Sequence, residues 1–267
     1  MTSHSETRAL TVAIETAKQA GALVLEGFRH HAHIEKKGPT DLVTEYDLKA
    51  ERFISDALRK EFPSIEILGE EVEKGDISGA AWVIDPIDGT TNFAHGHPFF
   101  CISIALCYKG DPVVGVVHAP ALGITWSAQK DKGSYRNEQA CAVSKCTELS
   151  EALCATGFPY DRRESSEDNL KEFAAFLKTG QGMRRCGSAA LDLAFTADGT
   201  FDLYWEQKLK PWDFAAGLLL VKEAGGIVTD YEGHTASLKS SRLLASNPTL
   251  HPLSLNLLTQ ARKSDTH

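Results

Sequence analysis

The run Trp82-Val83-Ile84-Asp85-Pro86-Ile87-Asp88-Gly89-Thr90-Thr91-Asn92-Phe93 begins as a short apolar strand. It then stops abruptly in two carboxylates, a proline, a glycine and two hydroxyls. Ligands of open α/β sheets sit beyond the carboxyl ends of strands, so the position suits a site. Asp85 and Asp88 flank a proline-fixed turn and are spaced to share one hard cation. Gly89 permits a close backbone approach, and Thr90 and Thr91 suit the opening of a helix whose amides face an anion. The same residues also suit a plain strand-to-helix turn with an aspartate cap.

Working outward, residues 81–84 form the strand and residues 65–68 alternate like another. Before them, apolar spacing predicts helices over 6–29 and 45–62. After them, 101–108, 113–118, 124–128 and 133–135 read as consecutive strands between Gly and Pro turns. The second half alternates: strand 152–156, helix 166–178, helix 188–197, strand 201–205, helix 211–224 and strand 227–229. Only the last few residues read as a loose tail. Alternating strands and helices in both halves predict a layered α/β protein. A soft boundary near 145 divides residues 1–145 from 146–267 within one compact unit.

A chain of 267 residues with 42% apolar and 24% charged residues is an ordinary globular chain, not a fibre, coiled coil or disordered segment. Its 28 basic and 36 acidic residues leave a net charge of −8, which disfavours direct nucleic-acid binding. A small phosphorylated ligand remains compatible if cations supply positive charge. The polar start lacks a secretory pattern, and the apolar stretches are too short to cross a bilayer. Six cysteines without C-x-x-C spacing (Cys101, Cys107, Cys141, Cys146, Cys154, Cys186) read as reduced, buried thiols of a cytoplasmic protein.

Two more segments end apolar runs in acids: Leu68-Gly69-Glu70-Glu71 and Lys210-Pro211-Trp212-Asp213-Phe214. Singly, Glu70-Glu71 is explained by solvated loop charge and Asp213 by stabilising its own helix. Together they bring Glu70, Asp85, Asp88 and Asp213 to the ends of apolar elements. Two carboxylates about 4 Å apart at an effective dielectric near 20 repel by about 4 kcal/mol. Lys210 alone cannot neutralise four acids, so protons or divalent metal are needed. All-oxygen ligands favour magnesium, manganese or calcium over zinc. With a helix N-terminus nearby, the set suggests two-metal phosphate chemistry. His95-Gly-His97 and the His30, His31, His33 group read as solvated loop and helix-end residues. Arg184-Arg185 suits a strand edge, a dimer contact or a substrate contact.

The Gly-Glu-Glu at 69–71, the run from Trp82 to Phe93, and Pro211-Trp-Asp-Phe-Ala-Ala-Gly with its later Glu223-Ala-Gly-Gly resemble the inositol monophosphatase family. The resemblance extends from Asp41-Leu-Val-Thr-x-x-Asp47 to Ala245-Ser-Asn-Pro248. It implies a five-layer αβαβα sandwich, magnesium-dependent phosphomonoester hydrolysis, lithium sensitivity and a homodimer. By motif, it implies that Glu70, Asp85 and the Ile87 carbonyl hold a first magnesium, and Asp85, Asp88 and Asp213 a second. Glu70 and Thr90, with Asp47 behind Thr90, would activate the attacking water. The amides of Gly89 and Thr90, with Thr91 beside them, would hold the phosphate. Gly187, Ser188, Ala189 and Glu206 would meet the sugar-alcohol end. Lys36 matches a position near a third metal, although Lys37 adjoins it.

The expected substrate is myo-inositol monophosphate. Fructose 1,6-bisphosphate, histidinol phosphate and 3′-phosphoadenosine nucleotides remain alternatives, and Glu206 favours a polyol over a nucleotide. Bacterial relatives also imply an alternative role with the transcription machinery through a protein partner. Asp88 is expected to touch only metal and substrate.

Overall fold

Alanine recurs along α1 (Ser3–Gly27), where Ala9, Ala13, Ala17 and Ala20 are fully buried and let the helix lie close on a sheet. The computed structural model describes residues 3–30, 34–36, 42–72 and 74–263. After α1, β1 (Ile34–Lys36) and β2 (Leu42–Thr44) pair antiparallel and lead into α2 (Glu45–Glu61). There follow β3 (Glu66–Gly69), β4 (Ala80–Asp88), α3 (Thr90–Ala94), β5 (Cys101–Tyr108), β6 (Asp111–Ala119), β7 (Ile124–Gln129), β8 (Ser134–Arg136) and β9 (Gln139–Ala140). Strands β3 to β9 form one sheet in chain order, with β3 parallel to β4 and every later pair antiparallel.

The rest of the chain gives β10 (Leu153–Thr156), α4 (Leu170–Thr179), β11 (Gly182–Arg184), α5 (Ala189–Ala197), β12 (Leu203–Gln207), α6 (Pro211–Glu223), β13 (Ile227–Thr229), β14 (Arg242–Ser246) and α7 (Leu250–Lys263). Its sheet has the order β11-β10-β12-β14-β13, with β10 parallel to both of its neighbours. Helices α1 and α2 cover one face of the seven-stranded sheet through Ile54 and Leu58 against Trp82 and Ile84. Helices α5 and α6 fill the space between the two sheets, joining Val83, Leu193, Leu218 and Tyr204 in one core. Helices α4 and α7 close the far side through Phe176, Leu258 and Trp205. The expected five layers are present in that order.

Several expectations need adjustment. Strand β4 does not stop at residue 84 but runs through Asp88. The helix expected from 166 begins at Leu170, because Asn169 is locked into the wall instead. Asn169 is buried and left-handed (φ 69°); it donates to Thr156 Oγ1 (2.8 Å) and the Gly157 carbonyl (2.6 Å) and accepts from Trp205 Nε1 (2.8 Å). Strands β1, β2, β9 and β14 and helix α7 are not among the expected elements, and the strand edge suggested by Arg184 is the three-residue β11. Among the described residues no helix is long and apolar enough to cross a membrane. All six cysteines are free, with Cys101, Cys107 and Cys154 buried and the others partly so.

Candidate active site

Parallel pairing of β3 with β4 sets Gly69 opposite Ile84, so Glu70 leaves its strand at the same end as Asp85. Side chains three apart on a regular strand point to opposite faces. Here the β4–β5 register passes from Asp85↔Ser103 to Asp88↔Cys101, so two residues of β4 oppose one of β5. This bulge, with Pro86 supplying no N–H to the ladder, turns both aspartates toward the layer of α5 and α6.

Four aspartates of the site accept main-chain amides. Asp85 Oδ1 accepts the Ile87 amide at 3.0 Å. Asp88 Oδ2 accepts the Ser188 hydroxyl at 2.7 Å and the Ala190 amide at 2.6 Å. Asp88 therefore has structural partners, contrary to the expectation that it touches only metal and substrate. Asp213, in the first turn of α6, reaches back to the Lys210 amide at 2.6 Å. Asp47 closes the start of α2, accepting the Thr44 amide (2.8 Å) and hydroxyl (2.5 Å) on Oδ2. Thr90 Oγ1 lies 3.0 Å from both Asp47 Oδ1 and the Ile87 carbonyl. Gly89 is left-handed (φ 96°), and a Cβ there would press on the Phe99 carbonyl, so the turn into α3 requires glycine.

Burial chiefly raises these acids. Asp47 and Asp88 are each pushed up to about 6. Asp85 stands well above the carboxylate range through burial, then repulsion from Glu70, Asp88 and Asp213. Asp213 is raised by burial and by Asp88 and Glu70, against the lowering effect of its bond to Lys210 N. After burial, the neighbours that raise Asp85 most are acids: Glu70, Asp88, Asp213 and Asp47. Among the described residues no three acidic, histidine or cysteine side chains form a ready-made cage. The donor set itself, oxygen only and short of positive charge, fits a hard divalent cation.

A cavity of about 330 Å³ opens beside these acids, within the range of small-molecule sites. Asp88, Gly89, Thr91, Gly187, Ser188, Ala189, Glu206 and Asp213 line it, whereas Asp47, Glu70, Asp85, Ile87 and Thr90 are not part of its lining. Glu206 Oε2 accepts the Tyr204 hydroxyl at 2.8 Å, and burial pushes Glu206 up to about 7. Arg185 lines the same cavity, while Arg184 lies on the edge strand β11. A larger groove of about 610 Å³ runs along β3 between Arg59 and Lys74, and among the described residues Glu66 is the one acid lining it.

His30, His95 and His97 are exposed; His31, His33, Lys37 and Asp41 lie outside the described residues, as does the side chain of Lys36. Sequence reasoning gave no role to Asn92, whose amide donates to the carbonyls of Phe99 (2.6 Å) and Cys186 (2.8 Å), tying α3 to the Gly187 wall. It also passed over Asp192, buried on α5 and raised by burial and by Glu206.

The inositol monophosphatase family model matches residues 5–264. The chain belongs to the inositol monophosphatase family. An inositol-1-monophosphatase of Synechocystis sp. is 40% identical over 245 residues, covering 91% of this chain and 85% of that protein. The Nus factor SuhB of Pseudomonas aeruginosa is 41% identical over 248 residues, covering 89% and 91%. The solved inositol monophosphatase from Anabaena (Nostoc) sp. PCC 7120 superposes with a TM-score of 0.88 at 39% identity, covering 95% of this chain and 96% of that one. A member of this family is a phosphatase, and the two-sheet fold agrees with that assignment.

Proposed function

We propose that the protein hydrolyses a small phosphomonoester with magnesium, and that myo-inositol monophosphate is its substrate. The observation that carries this reading is Asp85, buried and raised by burial and then by the acids Glu70, Asp88, Asp213 and Asp47 around it. Glu70, Asp85 and the Ile87 carbonyl would hold one ion, and Asp85, Asp88 and Asp213 a second. When bound, magnesium supplies positive charge to the phosphoryl oxygens and lowers the pKa of an attacking water. Thr90 gives its proton toward Asp47 and so offers its lone pairs to orient that water, with Glu70 accepting a proton. The amides of Gly89 and Thr90 hold the phosphate. Glu206 accepts hydroxyls of the leaving polyol, with Gly187, Ser188 and Ala189 shaping the wall beside it.

The test is phosphate release from a panel of phosphomonoesters, including the bisphosphate and nucleotide alternatives, with magnesium and with added lithium. Fastest release from inositol monophosphate, slowed by lithium, supports the reading; preference for a nucleotide overturns the substrate. A second, protein-binding role draws on the 41% identity to a protein named as a Nus factor. Recovery of the same partner by wild type and by an inactive Asp88→Asn variant would separate it from catalysis.

A further inference from the structure

Helix α2 carries two fully buried acids one turn apart, and the roles considered so far use only Asp47. The other is Glu51. Its Oε2 accepts the amide of Glu71 and its Oε1 the amide of Val72, both at 2.7 Å. Gly69 lies against the same carboxylate, and a Cβ at that position would collide with it. Glu70 is thus bracketed: the residue before it packs on Glu51, and the two residues after it donate to Glu51. Two consecutive amides meet the two separate oxygens of one buried carboxyl, so this bracket fixes the loop at two points. Residues four apart share a helix face, and on that face Asp47 meets Thr90 at 3.0 Å.

The geometry points to Glu51 as a positioning residue for Glu70. One turn of α2 then sets the spacing between the two side chains that handle the water: Asp47 holds Thr90, and Glu51 holds the segment bearing Glu70. Glu51 itself touches main chain and acts through Glu70, so this inference rests on the role proposed above for Glu70.

The experiment compares wild type with Glu51→Gln, Gly69→Ala and Glu70→Gln. Glutamine leaves one oxygen where two now each accept an amide, whereas Gly69→Ala keeps the carboxyl of Glu51 and crowds it from the other side. Three quantities are read: hydrogen exchange at amides 71 and 72, the rise in Tm from chelator to magnesium, and the magnesium needed for half-maximal phosphate release. For Glu51→Gln and Gly69→Ala we expect faster exchange and a smaller magnesium gain in Tm. Half-activation should need about tenfold more magnesium, with KM at saturating magnesium within about twofold of wild type.

Asp202→Asn is the structural control. Asp202 accepts the Leu153 amide at 2.6 Å near the end of β12 remote from Glu206, so its loss should leave half-activation unchanged. An equal shift in Asp202→Asn would overturn the positioning role by making general destabilisation the cause. A wild-type magnesium response in Glu51→Gln, with Glu70→Gln inactive, overturns the positioning role alone. Wild-type activity in Glu70→Gln overturns the role of Glu70 and this inference with it. If Glu51→Gln does not fold, Gly69→Ala decides, and an unchanged magnesium response there overturns the inference.

Discussion

The carboxylate of Asp88 is tied to α5 through the Ser188 hydroxyl and the Ala190 amide while it also lines the cavity. Asparagine keeps one oxygen acceptor for those donors but loses the charge that a cation needs. Asp88→Asn should therefore stay folded and lose more kcat than the roughly 10–100-fold typical of a residue that only supports a ligand. Steady-state phosphate release beside a thermal melt checks both parts; near-wild-type kcat would remove Asp88 from the ligand set. Glu206→Gln should weaken polyol phosphates more than simple aryl phosphates, because a site built for hydroxyls loses most on substrates that have them. Equal losses in kcat/KM on the two classes would make Glu206 structural. Glu70, Asp85, Asp88 and Asp213 were legible because they stand at the ends of apolar elements, whereas Asp47 and Glu206 came only with the family resemblance. Glu51 was not legible, since a lone glutamate in an amphipathic helix reads as solvated face, and its partners, the amides of residues 71 and 72, lie 20 and 21 residues away.

At the scale of single elements, β4 runs past its expected end, whereas α6 starts at Pro211 as expected. The strand was expected to end at residue 84, because Asp-Pro-Ile-Asp has poor strand propensity. Pairing with β5 overrides propensity, and the bulge it contains aims both aspartates. A bulge leaves no mark in side-chain periodicity, so the convergence of Asp85 and Asp88 was legible only as a proline-fixed turn and not as a bulged strand. In α6, Asp213 serves its own helix through the Lys210 amide and is also pressed by Asp88 and Glu70. Asparagine retains an acceptor for that amide and removes the repelling charge. Asp213→Asn should thus melt slightly higher than wild type in chelator and gain much less from magnesium. Paired melts in chelator and millimolar magnesium decide. An unchanged magnesium gain would contradict ligation, and a clear loss in chelator would mean that the cap dominates.

Across the whole molecule the raised acids make stability depend on pH. Asp47 and Asp88 at about 6 and Glu206 at about 7 lie above their ordinary values of 3.8 and 4.5, and burial raises Asp85, Asp192 and Asp213 as well. The fold therefore holds protons that the unfolded chain has released, a contribution complete below about pH 4 and lost as pH rises through about 6 to 7. His118 and His251, brought down to about 4 chiefly by burial, act oppositely: their contribution is full above 6.5 and lost as pH falls toward 4. The metal-free protein should consequently melt lower at about pH 8 than at about pH 6, and its gain from magnesium should grow over that interval. Magnesium at about 100 times its Kd stabilises by about 2.7 kcal/mol, or very roughly 5–10 °C for a chain of this size. A magnesium gain that shrinks with rising pH would contradict a site made of these carboxylates. The layered architecture was legible from alternating strands and helices, while β14 and α7 at the chain's end were not. The most direct test of the central claim is phosphate release from myo-inositol monophosphate by protein freed of metal with chelator, followed by magnesium titration. No turnover is expected in chelator and full recovery at millimolar magnesium; the same rate in both would refute a metal-dependent reaction.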